Sequence, residues 1–248
     1  MKHPIFGCCL ILLLVLASRV SAQEQPHASP TRPSASDNGY LTAPGYTELE
    51  VGFALAEDTW TLPALLKLSL QRRLEVGFIM QGILNHSDFG DGDTELGDPG
   101  FQVKYQLADR PWGAVAVVGR VDFLSGSDPK TTVYSVVSYQ APTFQLDATL
   151  GGARFEQENG SHDESIFYAV AISRKLSGRV GGYAEIFGEH ASGVSALSVD
   201  GGVSFAHSQQ FVSDISLVLG LSDDAPDWVI QVGLTSVLVR VLGRPAAE

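Results

Sequence analysis

The chain has 248 residues and a formal net charge of −12, and 44% of its residues are hydrophobic. Because binding to nucleic-acid phosphates requires clustered Lys and Arg, this acidic balance argues against nucleic acid as a partner. The two cysteines are adjacent, at Cys8 and Cys9, which excludes a disulfide framework over the rest of the chain. The apolar fraction is that of a folded protein and not of a disordered chain.

Residues 1–22 have the pattern of a secretory signal peptide. A basic start at Lys2 precedes a nearly continuous apolar run over residues 5–17, which is too short to span a bilayer as a helix. Val20-Ser21-Ala22 places small residues where a signal peptidase cuts. We therefore predict export with cleavage after Ala22; an uncleaved anchor is the alternative interpretation.

Two changes in composition divide the remaining chain. Residues 23–45 are rich in Pro, Ser and Ala and poor in large apolar residues, which is typical of a flexible N-terminal arm. From residue 46 to about residue 242 the composition is uniform, so we predict one domain over 46–242 and a C-terminal tail over 243–248. No later apolar run reaches the about 18 residues that suggest a transmembrane helix.

From Tyr46 onward, apolar and polar residues alternate with the two-residue period of β-strands. Turn signals divide the chain into about twelve such segments. Most have about 9–12 residues, close to the length that a tilted strand needs to cross a bilayer and longer than an ordinary strand. The predicted ranges are 46–56, 62–71, 74–84, 96–107, 112–123, 132–140, 144–154, 165–174, 179–189, 195–206, 211–221 and 228–239.

The connections between these segments alternate between short turns and longer loops. The longer loops carry many acidic residues, whereas the short turns and their flanks carry basic residues such as Arg72, Arg73 and Arg110. This layout is typical of outer-membrane barrels, whose apolar strand faces contact lipid and whose polar faces line the lumen. We therefore predict an all-β, antiparallel, up-and-down transmembrane β-barrel of about 12 strands in the outer membrane. Lipid, lipopolysaccharide and the outer-membrane assembly machinery are its expected partners.

A soluble periplasmic β-sandwich is the alternative fold, because its strands also alternate between apolar and polar residues. The water-facing side of a sandwich would be rich in Lys, Glu and Thr. The polar side of these segments is instead rich in Gly, Ala and Ser, which favours a confined lumen.

Charged residues on the polar faces are the candidate lumen-lining residues. Both signs occur, so we expect them to pair across the lumen or to contact water. Barrels of eight strands have an interior filled by side chains, and barrels of sixteen strands enclose an aqueous channel. Twelve strands lie between these cases, so the charged residues either rigidify a filled barrel or line a polar pore for a small solute. The arm is either a plug for this lumen or a disordered segment. The candidates are Glu48, Glu50, Lys67, Glu75, Asp98, Lys104, Arg120, Asp122, Asp147, Arg154, Glu185, Asp200 and Asp214.

No catalytic or cofactor-binding motif occurs in a fitting context, so we predict no enzymatic activity, no catalytic residue and no cofactor. The acidic loops contain dense carboxylates, but their spacing differs from that of an EF-hand. We interpret these carboxylates and the neighbouring histidines as solvated surface residues, and we predict no metal site.

Two segments of the chain resemble the phenol-degradation meta-pathway family of outer-membrane transporters. They are Leu96-Gly97-Asp98-Pro99-Gly100-Phe101-Gln102-Val103-Lys104-Tyr105 and Asp227-Trp228-Val229-Ile230-Gln231-Val232-Gly233-Leu234. The similarity in strand pattern and composition covers about residues 45–240. It implies a barrel of about a dozen strands and a role in the uptake of small, often aromatic or apolar, compounds. Unlike most such barrels, this chain does not end in the aromatic residue that the insertion machinery recognises.

Overall fold

A computed structural model describes residues 26–32, 34–87, 93–125, 128–156 and 162–243 of the chain. The predicted signal peptide, residues 1–22, lies outside these ranges, as do residues 244–248 of the predicted tail. In the described ranges, no helix has the length and apolar character needed to cross a membrane.

Twelve antiparallel strands form the wall of one closed sheet. They are β1 (Tyr46–Leu55), β3 (Ala64–Gln71), β4 (Leu74–Met80), β7 (Pro99–Arg110), β8 (Gly113–Asp122), β9 (Lys130–Gln140), β10 (Gln145–Glu156), β11 (His162–Ser177), β12 (Val180–Ala191), β13 (Val194–Ala206), β14 (Phe211–Gly220) and β15 (Trp228–Arg240). Each pairs with the next wall strand, and β15 pairs with β1 from Tyr46 opposite Arg240 to Leu55 opposite Ile230. The predicted barrel is confirmed. The sandwich alternative is wrong, because the hydrogen-bonded wall closes on itself.

Three short strands that we did not predict extend the sheet beyond the end of β1. They are β2 (Thr59–Thr61), β5 (Asn85–Ser87) and β6 (Thr94–Glu95). Because the chain leaves the wall at this point, β4 ends at Met80 and not at the predicted residue 84. The Gln81 amide donates instead to the Asp98 carbonyl, at 3.1 Å.

The two ends of the barrel differ as predicted. Short connections such as 72–73 and 178–179 lie at one end, together with the start of β1 and the end of β15. We call this the turn end. The longer connections, including 81–98, 123–129 and 221–227, lie at the opposite end, which we call the loop end.

The wall is apolar outside and polar inside. Strand β7 shows the pattern, with Phe101, Val103 and Tyr105 exposed and Gln102, Lys104 and Gln106 buried. Exposed large apolar side chains continue around the other wall strands or their flanks, and the outward apolar side chains of β1 are half-buried. A belt of this extent is unusual on a water-soluble monomer and is the surface that a membrane barrel presents to lipid.

An arginine on this outer belt is expected to destabilise the barrel. Leu150 lies near the middle of β10 and is 62% exposed, so Leu150→Arg would place a guanidinium against hydrocarbon at a cost of about 2–4 kcal/mol. Leu221→Arg is the matched control, since Leu221 is 55% exposed but follows β14 at the loop end; its cost should be about 0–1 kcal/mol. Guanidinium unfolding of the barrels in lipid vesicles measures both. Equal losses would contradict a lipid-facing belt.

Candidate functional site

Most of the candidate lumen-lining residues lie buried on the inner face of the wall. Arg120 is also on this face, with its side chain 28% exposed and Nη2 2.8 Å from the Asp122 carboxylate. The buried candidates, each at most 7% exposed, are Glu48, Glu50, Lys67, Glu75, Lys104, Asp122, Asp147, Glu185, Asp200 and Asp214.

Two candidates lie elsewhere. Arg154 is exposed on the outer face, so its assignment to the lumen is wrong. Asp147 and Thr149 of the same strand are buried, and Arg154 is an odd number of residues away, so strand alternation turns it outward. Asp98 precedes β7 in a connection at the loop end. Its carboxylate accepts hydrogen bonds from the Ser125 amide and hydroxyl, at 2.9 and 2.7 Å, and so joins two connections.

The N-terminal arm lies inside the barrel. We call its described residues, 26–32 and 34–45, the lumen arm. At the turn end, the Ala28 amide donates to the Gln209 carbonyl at 2.8 Å, and the Gly45 amide donates to the Ser69 carbonyl at 2.7 Å. Between these points the arm reaches Glu185, near the middle of β12. The lumen arm thus enters and leaves at the turn end and rises to about half the height of the wall.

Wall carboxylates bind the backbone of the lumen arm, although we predicted this segment to be flexible. Because the arm forms no regular secondary structure, its N–H groups need other acceptors. Hydrogen bonds to carboxylates are among the strongest available to them. The pairs are Ser29 with Glu48 (2.8 Å), Thr31 with Glu50 (3.0 Å), Ala35 and Ser36 with Glu185 (2.7 and 2.6 Å) and Thr42 with Glu75 (2.7 Å).

Lys67 is the cation at the centre of one such cluster. Its Nζ lies 2.5 Å from Glu48 and 2.5 Å from Glu50, and it is 2% exposed. Nζ also donates to the Ser29 carbonyl at 2.8 Å. One ammonium faces two carboxylates here, so the arm's N–H groups satisfy the remaining negative charge.

Asp37 anchors the lumen arm on another side of the lumen. Lys104 of β7 donates to its carboxylate at 2.8 Å, and the Tyr134 hydroxyl of β9 donates to it at 3.2 Å. The Asp37 amide donates to the Thr149 hydroxyl of β10 at 3.2 Å. One arm residue therefore connects three wall strands.

Arg32 lies against two glycines of the wall. Gly52 of β1 and Gly233 of β15 are register partners, and a Cβ at either position would collide with the Arg32 guanidinium. Its Nη2 donates to the Val232 carbonyl at 3.3 Å. The absence of two side chains thus creates the space that the arm's guanidinium occupies.

The lumen arm leaves open space on one side. A cavity of about 560 Å³ lies between the arm and strands β10–β14 near the turn end, and Arg32, Ser36, Asp147, Tyr183 and Asp214 contribute to its lining. A second cavity, of about 480 Å³, lies between the two limbs of the arm. In the described part of the chain, no three His, Cys, Asp or Glu side chains group as a metal site.

The loop end carries adjacent acidic residues. The charge of the Asp227 carboxylate raises the pKa of Glu57, and desolvation, a hydrogen bond with Asp227 and the neighbouring Asp58 act in the same direction. Solutes approaching from this end therefore meet negative charge before they reach the lumen, which disfavours anions.

No family model and no curated protein matches the chain. Solved structures do match. The NanC porin aligns with a TM-score of 0.58 and 9% identity, over 78% of this chain and all of its own. The KdgM porin aligns at 0.59 and 6%, and its complex with disordered oligogalacturonate at 0.57 and 6%; both cover 77% of this chain and 99% of their own. The chain therefore has the fold of outer-membrane β-barrel porins.

Proposed function

We propose that the protein is an outer-membrane channel for small solutes whose lumen is closed by its own N-terminal arm and opens when the arm moves away from the wall. The lumen arm carries this proposal, because it crosses the interior and is hydrogen-bonded to β1, β4, β7, β9, β10 and β12. The apolar outer belt supports a place in the outer membrane, in contact with lipid and lipopolysaccharide. The assembly machinery is the partner that this location requires.

Small uncharged solutes are the substrates that we propose. The KdgM porin was solved with oligogalacturonate, whose carboxylates would face an acidic lumen in this chain. Uncharged compounds avoid that repulsion. They include the small aromatic or apolar compounds that the resemblance to the phenol meta-pathway family implies, and membership of that family remains part of the proposal.

Solute flux through a barrel whose arm can be cross-linked to the wall by a disulfide tests the proposal. Cys8 and Cys9 lie in the predicted signal peptide, so the mature chain offers a cysteine-free background. An ideal Cβ on Gly39 would lie 3.0 Å from the Ala114 Cβ and 2.8 Å from the Ala114 carbonyl oxygen, so the arm must move slightly away from β8 to reach the about 3.5–4.5 Å Cβ separation of a disulfide. In lipid vesicles, the wild type should pass a small neutral solute, and the oxidised Gly39→Cys, Ala114→Cys variant should not. Reduction should restore flux, with each single variant as a control. A folded wild type without flux would favour the alternative, a non-transporting structural or ligand-binding barrel.

A further inference from the structure

We infer that the turn end of the barrel binds the headgroups of anionic phospholipids, and that the tip of the β11–β12 hairpin is the principal site. Arg174, Lys175 and Arg179 are the residues that we assign to the lipid phosphate. This goes beyond the proposed function, because it concerns the rim of the wall and not the passage of a solute through the lumen. It rests on the outer-membrane location in that proposal and not on transport.

The exposed charges at the turn end are almost all basic, although the chain has a formal net charge of −12. Among the described residues at this end, Asp109 is the one exposed carboxylate. The loop end has the opposite balance, with exposed acids such as Glu57 and Asp223. The turn end therefore attracts anions at its surface. Its exposed basic residues are Arg72, Arg73, Arg110, Arg174, Lys175 and Arg179.

The β11–β12 hairpin carries three of these residues on a projecting tip. The pairing of β10 with β11 ends at Gln145 opposite Ser173, so residues 174–177 of β11 extend beyond β10. Among the described residues, no ion pair and no side-chain hydrogen bond involves Arg174, Lys175 or Arg179. Three basic groups within six residues are thus available to an anion.

Arg174 lies within the lipid-facing belt itself. Strand alternation places it on the outer face between Ile172 and Leu176, which are 47% and 55% exposed. Its register partner on β12 is Gly182, and an ideal Cβ there would lie 2.8 Å from Leu176 Cδ1, so Leu176 covers the outer face beside the arginine. A guanidinium among apolar side chains is costly against hydrocarbon unless it reaches a polar group at the interface. Phosphate offers the bidentate acceptor that guanidinium prefers.

The end of β7 repeats this arrangement. Arg110 is exposed opposite Gly113 of β8. Trp112 is 48% exposed two residues further along the chain, and Tyr139, the register partner of Gly113 on β9, is 47% exposed. Aromatic side chains of this kind form the girdles of membrane barrels at the level of the lipid headgroups. An unpaired arginine at this level lies where lipid phosphates are found.

A phospholipid fits the hairpin tip better than a soluble anion does. Ile172 and Leu176 would contact the acyl chains of the lipid whose phosphate Arg174 binds, whereas a soluble anion would leave these side chains without a partner. The short turns of outer-membrane barrels face the periplasm, and the leaflet on that side consists of phospholipid. Each basic residue near the surface should favour an anionic headgroup over a zwitterionic one by about fivefold.

Titration of the mature, folded barrel with lipid in a neutral detergent tests the inference. Mass spectrometry of the intact protein counts bound phosphatidylglycerol or phosphatidylcholine with identical acyl chains. We expect tighter binding of phosphatidylglycerol, and Arg174→Gln should weaken it by about fivefold. Arg154→Gln is the matched control, because Arg154 is also an exposed arginine on the outer face but lies near the loop end; it should leave binding unchanged.

The triple variant Arg174→Gln, Lys175→Gln, Arg179→Gln should weaken phosphatidylglycerol binding by about tenfold or more and leave phosphatidylcholine binding unchanged. The mobility of the unboiled band verifies that each variant folds. Equal affinities of the wild type for the two lipids would overturn the inference, as would equal affinities of the wild type and the triple variant for phosphatidylglycerol.

Glycerol phosphate distinguishes a lipid from a soluble anion, because the same three residues also border the mouth of the larger cavity. It carries the phosphate without acyl chains, so it should not displace phosphatidylglycerol at equal concentration. Displacement would overturn the assignment to a lipid. The titration measures no flux, so its failure is distinguishable from failure of the channel proposal.

Discussion

Deletion of residues 23–42 is expected to raise the single-channel conductance of the barrel in planar bilayers by roughly tenfold or more. The intact arm spans the lumen and is hydrogen-bonded to Glu185 near the middle of β12. Its removal leaves a twelve-stranded wall without an internal segment, while the turn at Pro44 and Gly45 still leads into β1. The wall itself keeps every strand pair, so the barrel should remain folded.

The pore that this deletion opens should prefer cations. Glu48, Glu50, Glu75 and Glu185 lose their arm donors and gain contact with water. Among the described residues, Lys67 and Lys104 are the buried basic side chains that oppose them. An excess of carboxylates along a pore raises the local cation concentration. The reversal potential in a potassium chloride gradient measures this preference.

A chain with a scrambled arm is the matched control for the deletion. It keeps the length and composition of residues 23–42 but changes the position of Arg32, Asp37 and the prolines. If the specific hydrogen bonds close the lumen, its conductance should approach that of the deletion. If bulk alone closes it, conductance should stay low. A folded, heat-modifiable deletion variant with the conductance of the wild type would contradict closure by the arm.

The wall could be predicted from the sequence because its determinants are local. Apolar and polar residues alternate along each strand. Because lipid surrounds the barrel, the apolar residues must face outward and the polar residues inward. The same alternation rule explains why the assignment of Arg154 to the lumen is wrong. Arg154 lies an odd number of residues after Asp147 on β10, so the two side chains face opposite sides of the wall. The extension by β2, β5 and β6 could not be predicted, because strands of two or three residues show no measurable period.

The position of the arm could not be predicted from its composition. Pro- and Ser-rich segments without apolar residues are usually unstructured, because they bury little apolar surface. The lumen arm is held instead by polar contacts that other parts of the chain provide. The available signal was a charge imbalance, since the thirteen candidate residues comprise nine acids and four bases. Buried acids in excess need donors, and the arm's N–H groups supply them to Glu48, Glu50, Glu75 and Glu185.

Replacement of Lys67 by Met is expected to reduce the free energy of unfolding by about 3–5 kcal/mol, because it leaves two buried carboxylates without their cation. Both Glu48 and Glu50 lie 2.5 Å from Lys67 Nζ and are at most 1% exposed. Methionine nearly matches the side-chain length but supplies no charge and no donor to the Ser29 carbonyl. Guanidinium unfolding of the barrel in vesicles, followed by the mobility of the unboiled band, measures the loss.

Two further variants separate the effect of the lost charge from an effect on packing. Lys175→Met makes the same chemical change at an exposed position near the turn end, where the cost should be within about 0.5 kcal/mol. The triple variant Lys67→Met, Glu48→Gln, Glu50→Gln removes the unpaired charges as well, and it should recover most of the stability while it weakens the hold on the arm through Ser29 and Thr31. We therefore expect the triple variant to be more stable than Lys67→Met and more conductive than the wild type. Stability as low as that of the single variant would show that the lysine acts through packing and not through its charge.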